Sequence, residues 1–255
     1  MHILFIGYGK TSQRVAKQLF ALDHQITTIS SSPKTDEYAT HLIQDIHHLN
    51  LSQIKPVDCV YILLSPKQSN VDGYRETYLN SAYSIIQALI DHPVKRVIVV
   101  SSTRVYGENA GERVDDETSI SPKDEQGQIL AEMEQVYLKA YAERCAIIRP
   151  AGIYDGLSER MIRLAENTKM YPNIHWSNRI HIDDLSCFLA HLLHVEHPKK
   201  SYIVTNNLPE PLHEKILKIQ KEKGFPELVL ESQNETGKRI FAMRMNETGF
   251  KLIQH

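Results

Sequence analysis

The first twelve residues, Met1 to Ser12, constrain the fold more than any other stretch of the chain. Residues 3–6 form a short apolar run that stops at Gly7, which is typical of a buried parallel strand. From Thr11 to Leu22 apolar side chains recur at helical spacing, so a helix is predicted directly after Gly7 and Gly9. Backbone N–H groups at the start of such a helix bind phosphate, and a Gly-x-Gly turn between strand and helix indicates the pyrophosphate site of a dinucleotide. The alternative is a plain tight turn.

Strand and helix patterns then alternate along the chain. Further buried strands are predicted at Gln25–Ile29, Val57–Leu64, Val94–Val100 and Cys145–Arg149, with helices at Tyr74–Ile90 and from Pro122 to Tyr141. This alternation predicts an α/β fold of the Rossmann type, with a doubly wound and mostly parallel sheet.

After Gly156 the pattern loosens. Predicted there are helices at 157–168, 185–194 and 212–223, and strands at 178–184 and 202–205. Asp183 or Asp184 is expected to cap the helix that ends at His194. We therefore predict an NAD(P)-binding Rossmann domain over residues 1–155. Residues 156–255 are predicted to form a small substrate-side lobe, with some segments returning to the core sheet.

Composition restricts the classes of partner. The net charge of −2 gives no electrostatic argument for nucleic acid or an anionic membrane surface, and no apolar run is long enough to span a bilayer. The three cysteines are far apart, and no basic segment precedes the first strand, so a cytoplasmic location is expected. His191, His194 and His197 have ligand-like spacing, but no cysteine or third fixed ligand completes a site, so no metal is predicted. Either a monomer or a homodimer remains open.

Several later segments carry a family resemblance. They are Ser101–Gly107 (S-S-T-R-V-Y-G), Arg149–Tyr154 (R-P-A-G-I-Y), Arg179–Leu185 (R-I-H-I-D-D-L), Asn80 in its helix, and Glu247–Lys251 near the end. In order and spacing they resemble the extended short-chain dehydrogenase/reductase superfamily, which includes NAD-dependent epimerases and dehydratases of nucleotide sugars. The resemblance implies a dinucleotide cofactor, a small-molecule substrate and a catalytic serine at Ser102.

The chain departs from that family at the proton-transferring dyad, Tyr-x-x-x-Lys. Alignment on Gly127 and Glu134 puts Gln126 at the tyrosine position and Leu130 at the lysine position, and no tyrosine in the chain is followed by lysine four residues later. Glutamine has no proton to exchange, and leucine supplies no charge that could lower a phenol pKa. The chain therefore resembles an atypical branch that keeps the scaffold and lacks the dyad.

The predicted catalytic residues are Ser102, Gln126 and Tyr106, with Tyr154, Asp124, Glu125 and His181 as further candidates for a substitute acid or base. The predicted cofactor ligands are Gly7, Gly9, Lys10, Thr11, Ser12, Ser30, Ser31, Ser32, Lys34, Leu64, Ser65, Asn80, Ser101, Pro150 and Ile153.

A slight preference for NADP over NAD is predicted from the end of the second strand. Three serines and Lys34 stand there, and no acid is present to hold the ribose hydroxyls. Three functional hypotheses remain open. The first is an oxidoreductase or epimerase with a non-standard acid–base residue, acting on a substrate that resembles a nucleotide sugar. The second is a catalytically silent NAD(P)-binding sensor or scaffold. The third is a flavin- or dinucleotide-binding protein that acts on a non-sugar substrate.

Overall fold

The computed structural model describes residues 1–254, and its strands alternate with helices through the first half of the chain. The strands are β1 (His2–Ile6), β2 (Gln25–Ser30), β3 (Thr40–Ile43), β4 (Cys59–Ile62), β5 (Arg96–Val100), β6 (Ala110–Val114), β7 (Cys145–Pro150), β8 (Gly152–Tyr154), β9 (Met170–Tyr171), β10 (Ile174–Ser177), β11 (Arg179–His181), β12 (Ser201–Val204), β13 (Glu210–Pro211), β14 (Val229–Leu230) and β15 (Glu235–Ile240). The α-helices are α1 (Lys10–Phe20), α2 (Val71–Tyr74), α3 (Ser81–Ala88), α4 (Glu125–Tyr141), α5 (Glu159–Asn167), α6 (Ile182–His191), α7 (Leu212–Lys223) and α8 (Met243–Glu247).

A seven-stranded parallel sheet forms the core, in the spatial order β12-β7-β5-β4-β1-β2-β3. Every residue of β1, β4 and β7 is buried, as expected for strands that helices cover on both faces. The order reverses at β1, which has β4 on one side and β2 on the other. The predicted Rossmann-type α/β fold is therefore confirmed, and its switch point lies beside the first turn of the chain.

Two predicted helices differ from the observed ones. The single helix predicted for Tyr74–Ile90 is α2, a π-helical stretch at Arg75–Asn80, and α3. The helix predicted from Pro122 starts at Glu125, because the Asp124 carboxylate accepts a hydrogen bond from the Gly127 N–H at 2.7 Å and caps it.

The second half of the chain contributes to the core sheet and also forms smaller sheets. Strand β12 lies beside β7 at the edge of the central sheet, and β11 pairs with β8. Strands β13, β10, β15 and β6 form a separate four-stranded sheet. Helices α5 and α7 share a small second core of Ala165, Ile216, Ile219 and Leu228. The division of the chain at residue 155 stays a prediction.

The cap of α6 was predicted wrongly. The helix begins at Ile182, so the capping residue is His181, whose ring Nδ1 accepts from the Asp183 N–H at 3.2 Å. Asp184 is buried and instead accepts from the backbone N–H of Ile253 at 2.6 Å, which ties the tail to the core. Within residues 1–254 no helix combines the length and apolar character needed to cross a membrane.

Candidate functional site

The turn after β1 contains two glycines with different structural roles. Gly7 has a φ of +88°, and a side chain there would overlap the carbonyl oxygen of Leu63 at the end of β4. Gly9 has an ordinary φ of −91°, and no protein atom lies within 4 Å of the place where its Cβ would stand. Gly7 is therefore required by the fold, whereas Gly9 faces open space at the start of α1.

The start of α1 has the properties of an anion cradle. No side chain caps the helix and no acidic residue lies in its first turn. Its first backbone N–H groups, at Lys10, Thr11 and Ser12, have no partner within the helix. Ser12 takes the third glycine position, and its buried hydroxyl donates to the Gly7 carbonyl oxygen at 2.8 Å, which stabilises the turn. A pyrophosphate fits this geometry.

The neighbouring strand ends meet the turn at the carboxyl edge of the sheet. Leu64 and Ser65 follow β4, Ser101 and Ser102 follow β5, and β7 ends at Pro150. The Ser101 hydroxyl is buried, yet has no hydrogen-bond partner within residues 1–254. A buried hydroxyl without a partner favours a ligand at this edge, since such a group otherwise loses its hydrogen bonds to water.

Ser102 keeps an accessible hydroxyl. It is half-buried, and its Oγ accepts from the backbone N–H of Arg104 at 3.2 Å, so its proton remains available to a ligand. Thr103 donates toward the Pro150 carbonyl oxygen at 3.4 Å and holds the β5 and β7 ends together. The structure thus brings Ser101, Ser102 and Pro150 to one edge of the sheet, and their assignment as ligands stays a prediction.

Gln126 and Leu130, the α4 residues that the alignment puts at the dyad positions, have structural contacts. Gln126 donates its side-chain amide to the Ser69 carbonyl oxygen at 3.0 Å, in the loop after β4. Leu130 is only 1% exposed and packs in the main hydrophobic core. Neither residue supplies an ionisable group, so no acid–base pair exists at this place on the helix.

Asp124 is held in a structural contact. Besides capping α4, its carboxylate accepts from the Arg104 guanidinium at 2.9 Å. Burial acts to raise the pKa of Asp124, but the hydrogen bonds from Arg104 and Gly127 outweigh it, and the pKa lies below its ordinary value. Asp124 is therefore ionised at neutral pH and has no proton to donate.

Tyr106 belongs to a buried ionic network. The Arg149 guanidinium donates to its hydroxyl at 2.8 Å and to both carboxylate oxygens of Glu134, at 3.1 and 2.7 Å. Glu134 is fully buried and Tyr106 is 1% exposed. Burial raises the pKa of the phenol while Arg149 opposes it, and the net shift is upward. This position does not support Tyr106 as a catalytic acid, because its hydroxyl is enclosed by protein.

The remaining candidates are scattered. Asn80 is exposed and donates to the Glu76 carboxylate at 2.8 Å on its own helical stretch, so the structure does not bring it to the strand ends. Glu125 is exposed in the first turn of α4. The rings of Tyr154 and His181 contact each other edge to face, 5.1 Å apart between centroids, because β8 and β11 pair there. Ile153, also on β8, is 47% exposed.

The loop after β2 contains an acid that sequence reasoning missed. The Ser30 hydroxyl donates to the Ser32 carbonyl oxygen at 2.6 Å, while Ser31 and Ser32 are exposed. The Asp36 carboxylate accepts a hydrogen bond at 3.0 Å from the hydroxyl of Tyr8, the residue between Gly7 and Gly9. An open pocket of about 310 Å³ lies between the loop and α1, and it is lined by Gln13, Pro33, Lys34, Thr35, Asp36 and Tyr38. No short motif links Tyr8 to Asp36, so only the fold reveals the contact.

Arg14 connects α1 to the second half of the chain. Its guanidinium donates to Asp183 at 2.7 Å and to Asp155 at 3.1 Å. It thereby joins α1 to the start of α6 and to the residue after β8. Within residues 1–254 no three potential ligands are grouped as a metal site would need.

Comparison with known proteins supports this description. No family model matches the chain. Protein YeeZ of Escherichia coli strain K12 is 26% identical over 222 residues, which cover 83% of this chain and 78% of YeeZ. A Methylobacillus flagellatus protein, provisionally described as an NAD-dependent epimerase/dehydratase, is 28% identical with a TM-score of 0.82, covering 99% of this chain and 93% of its own.

MoeE5, solved in complex with UDP-glucuronic acid and NAD, superposes equally well. Its TM-score is 0.82 at 17% identity, covering 100% of this chain and 95% of MoeE5, and at that identity the likeness concerns the fold alone. The motif-based resemblance is confirmed: the structural neighbours of this chain are NAD-dependent epimerase/dehydratase-like proteins of the extended short-chain dehydrogenase/reductase type.

Proposed function

We propose that the protein binds NAD(P) at the carboxyl edge of its central sheet and acts as an oxidoreductase or epimerase on a small molecule. One observation carries the proposal: Gly9 faces open space at the uncapped start of α1, beside the switch point of the sheet. The unpartnered Ser101 hydroxyl, at the same edge, supports it. When bound, the nicotinamide would supply hydride transfer.

In this proposal each part of the site has a separate task. Lys10, Thr11 and Ser12 donate backbone N–H groups to the pyrophosphate, and the strand ends at Leu64, Ser65, Ser101, Pro150 and Ile153 line the ribose and nicotinamide side. Residues 1–155 form the nucleotide domain, and residues 156–255 cover its edge as the substrate-side lobe.

Ser102 is the proposed contact to the substrate oxygen. Its hydroxyl can donate a hydrogen bond to a carbonyl, but it needs an adjacent base to remove an alcohol proton at neutral pH. Within residues 1–254 the structure shows no base bonded to that hydroxyl; its one described partner is the Arg104 N–H. Proton exchange therefore falls to another residue or to the substrate itself, and Tyr154 and His181 remain the candidates with ionisable rings.

The alternative is a catalytically silent NAD(P)-binding sensor or scaffold. The observation that favours it is the dyad position, where Leu130 is in the core and Gln126 is bonded to Ser69. Under both hypotheses the protein binds cofactor, whereas only the enzyme reduces or oxidises it. Low turnover of ordinary nucleotide sugars is expected.

Calorimetric titration with NAD and NADP tests the binding. On a panel of UDP-sugars, the absorbance of the reduced cofactor tests net oxidation or reduction, and chromatography of the sugar products tests epimerisation, which leaves the cofactor unchanged overall. Saturable binding of either dinucleotide supports the proposal, while failure of both contradicts it. Turnover that Ser102→Ala abolishes without weakening cofactor binding supports the enzyme. Efficient turnover that Ser102→Ala leaves unchanged would show that Ser102 is wrongly assigned.

The NADP preference also belongs to this proposal. The exposed Ser31, Ser32 and half-buried Lys34 favour a 2′-phosphate, and Asp36 opposes it with a negative charge. The Tyr8 hydroxyl donates to the Asp36 carboxylate at 3.0 Å, which stabilises that negative charge within the protein and reduces its effect on a ligand. A modest preference for NADP is proposed, and tighter binding of NAD in the same titrations would reverse it.

A further inference from the structure

Two cationic side chains lie beside β8, just beyond the end of β7. Arg179 on β11 stands opposite Gly152 in the parallel pairing with β8, so no side chain opposes it there. Lys215 on α7 places its Nζ 5.6 Å from the centroid of the Tyr154 ring. Both side chains are half-buried. Two elements distant in sequence therefore bring two positive charges to one face of β8.

These two cations lack the carboxylate partners that two other enclosed arginines have. Arg14 and Arg149 each bond a carboxylate at 3.1 Å or less. Within residues 1–254 neither Arg179 nor Lys215 has a side-chain hydrogen bond, and no carboxylate oxygen lies within 4.0 Å of either.

The surrounding charges leave this place positive. Glu210 is the acid that faces both cations, and Lys218 is exposed one turn farther along α7. Burial lowers the pKa of both Arg179 and Lys215, and the charge of Arg179 lowers that of Lys215 further. Two partly desolvated positive charges thus face one negative charge, an arrangement that a bound anion would stabilise.

We propose that Arg179 and Lys215 bind an oxyanion of the substrate, a phosphate or carboxylate group, against the Tyr154 ring. The guanidinium can hold two oxygens of such a group in parallel, and the ammonium adds a point charge. Only Ala151 separates Pro150, the last residue of β7, from β8. The Thr103 hydroxyl bonds the Pro150 carbonyl oxygen, so the end of β7 lies next to Ser102. The anionic end of the substrate would therefore lie just beyond Ser102 and the end of β7. That the anion belongs to the substrate rests on the proposed function.

The proposal is specific about these residues. The cofactor pyrophosphate is assigned to the start of α1, so the pair at β8 is a second anion site in the same protein. Glu210 competes with a bound anion for the two cations, and Glu210→Gln should therefore strengthen anion binding.

The test is calorimetric titration of the full chain with inorganic phosphate and with succinate at fixed ionic strength, with and without saturating NAD. Saturable binding is expected, and the anion that binds distinguishes a phosphate from a carboxylate. Arg179→Gln and Lys215→Gln should each weaken it roughly ten- to hundredfold, because each removes charged hydrogen bonds. Lys218→Gln, on the same helix but exposed, is the matched control and should change it less than about twofold.

Melting temperatures of all variants should stay close to wild type, since no protein partner is left unpaired. Absence of saturable binding of both anions, or equal loss in Lys218→Gln, overturns the inference. If NAD binds normally while the anions do not, only this inference fails. If the anions bind and the dinucleotides do not, the proposed function fails instead.

Discussion

The two glycines of the first turn allow a separation of folding from cofactor binding. At Gly7 the backbone φ of +88° and the contact with Leu63 exclude a side chain. The left-handed conformation alone costs a residue with Cβ roughly 1–2 kcal/mol, before the overlap with the Leu63 carbonyl is counted. Gly7→Ala should therefore lower the free energy of unfolding by about 3 kcal/mol or more.

Gly9 should respond in the opposite way. Its φ of −91° suits any residue, and no protein atom lies within 4 Å of an added Cβ. Gly9→Val should cost roughly 1 kcal/mol, the usual penalty for an apolar residue at a helix N-cap. The new side chain would keep the pyrophosphate from the helix N–H groups. Each hydrogen bond to a charged group is worth about 1.5–3 kcal/mol, so losing one or two weakens binding roughly 100-fold.

Urea denaturation and calorimetric titration of NAD and NADP measure the two effects on the same preparations. Gly7→Ala should show a lower urea midpoint, and Gly9→Val a near-normal midpoint with weak binding. The reasoning is refuted if Gly9→Val binds both dinucleotides with wild-type affinity while remaining folded.

Three further outcomes follow from buried groups. Glu134→Gln breaks the buried pair with Arg149 and should destabilise the protein by roughly 3–5 kcal/mol, against less than about 0.5 kcal/mol for the exposed Glu132→Gln, as measured in urea. Leu130→Lys places a charge in the core and should lower the free energy of unfolding by about 3 kcal/mol or more, so a variant carrying a restored dyad lysine should be unstable. A melting temperature equal to wild type would contradict this. Burial raises the pKa of the Cys59 and Cys145 thiols to about 12. Between about pH 9 and 12 the unfolded chain loses those protons first, so stability should fall as pH rises through that window; an unchanged urea midpoint would refute it.

Local patterns in the sequence were enough to predict the first turn and every strand of the central sheet except β3, whose residues are not buried. The apolar runs of β1, β4, β5 and β7 and the helix after Gly9 are contiguous, so periodicity alone reveals them. Strands β6 and β15 escaped prediction because they are short and polar, and because they pair with each other across almost half of the chain.

Sequence motifs predicted only the part of the candidate site formed by the first turn and the end of β5. Gly7, Gly9 and Ser102 each lie in a short motif whose residues are adjacent in the sequence, so the motif can be recognised without the fold. The contact of Tyr8 with Asp36, and the approach of Lys215 to Arg179, join residues from separate elements with no shared motif. Asn80 was assigned by its position in a predicted α-helix. The stretch Arg75–Asn80 is π-helical instead, and this change of helical period alters the direction in which its side chains point.

The buried network of Tyr106, Arg149 and Glu134 has a consequence for reading such sequences. Tyr106 and Arg149 come from two of the segments that carry the family resemblance, and Glu134 is one of the two residues on which α4 was aligned with the family. Removing Arg149 or Glu134 would leave an unpaired charge in the core, and removing Tyr106 would leave one N–H of the Arg149 guanidinium without its acceptor. Gln126, in contrast, is half-buried, and its amide bonds a carbonyl oxygen in the loop after β4, so it carries no charge of such a network. Motif residues such as Tyr106 and Arg149 therefore indicate that a chain has this fold. Their presence does not by itself indicate that the chain is a catalyst.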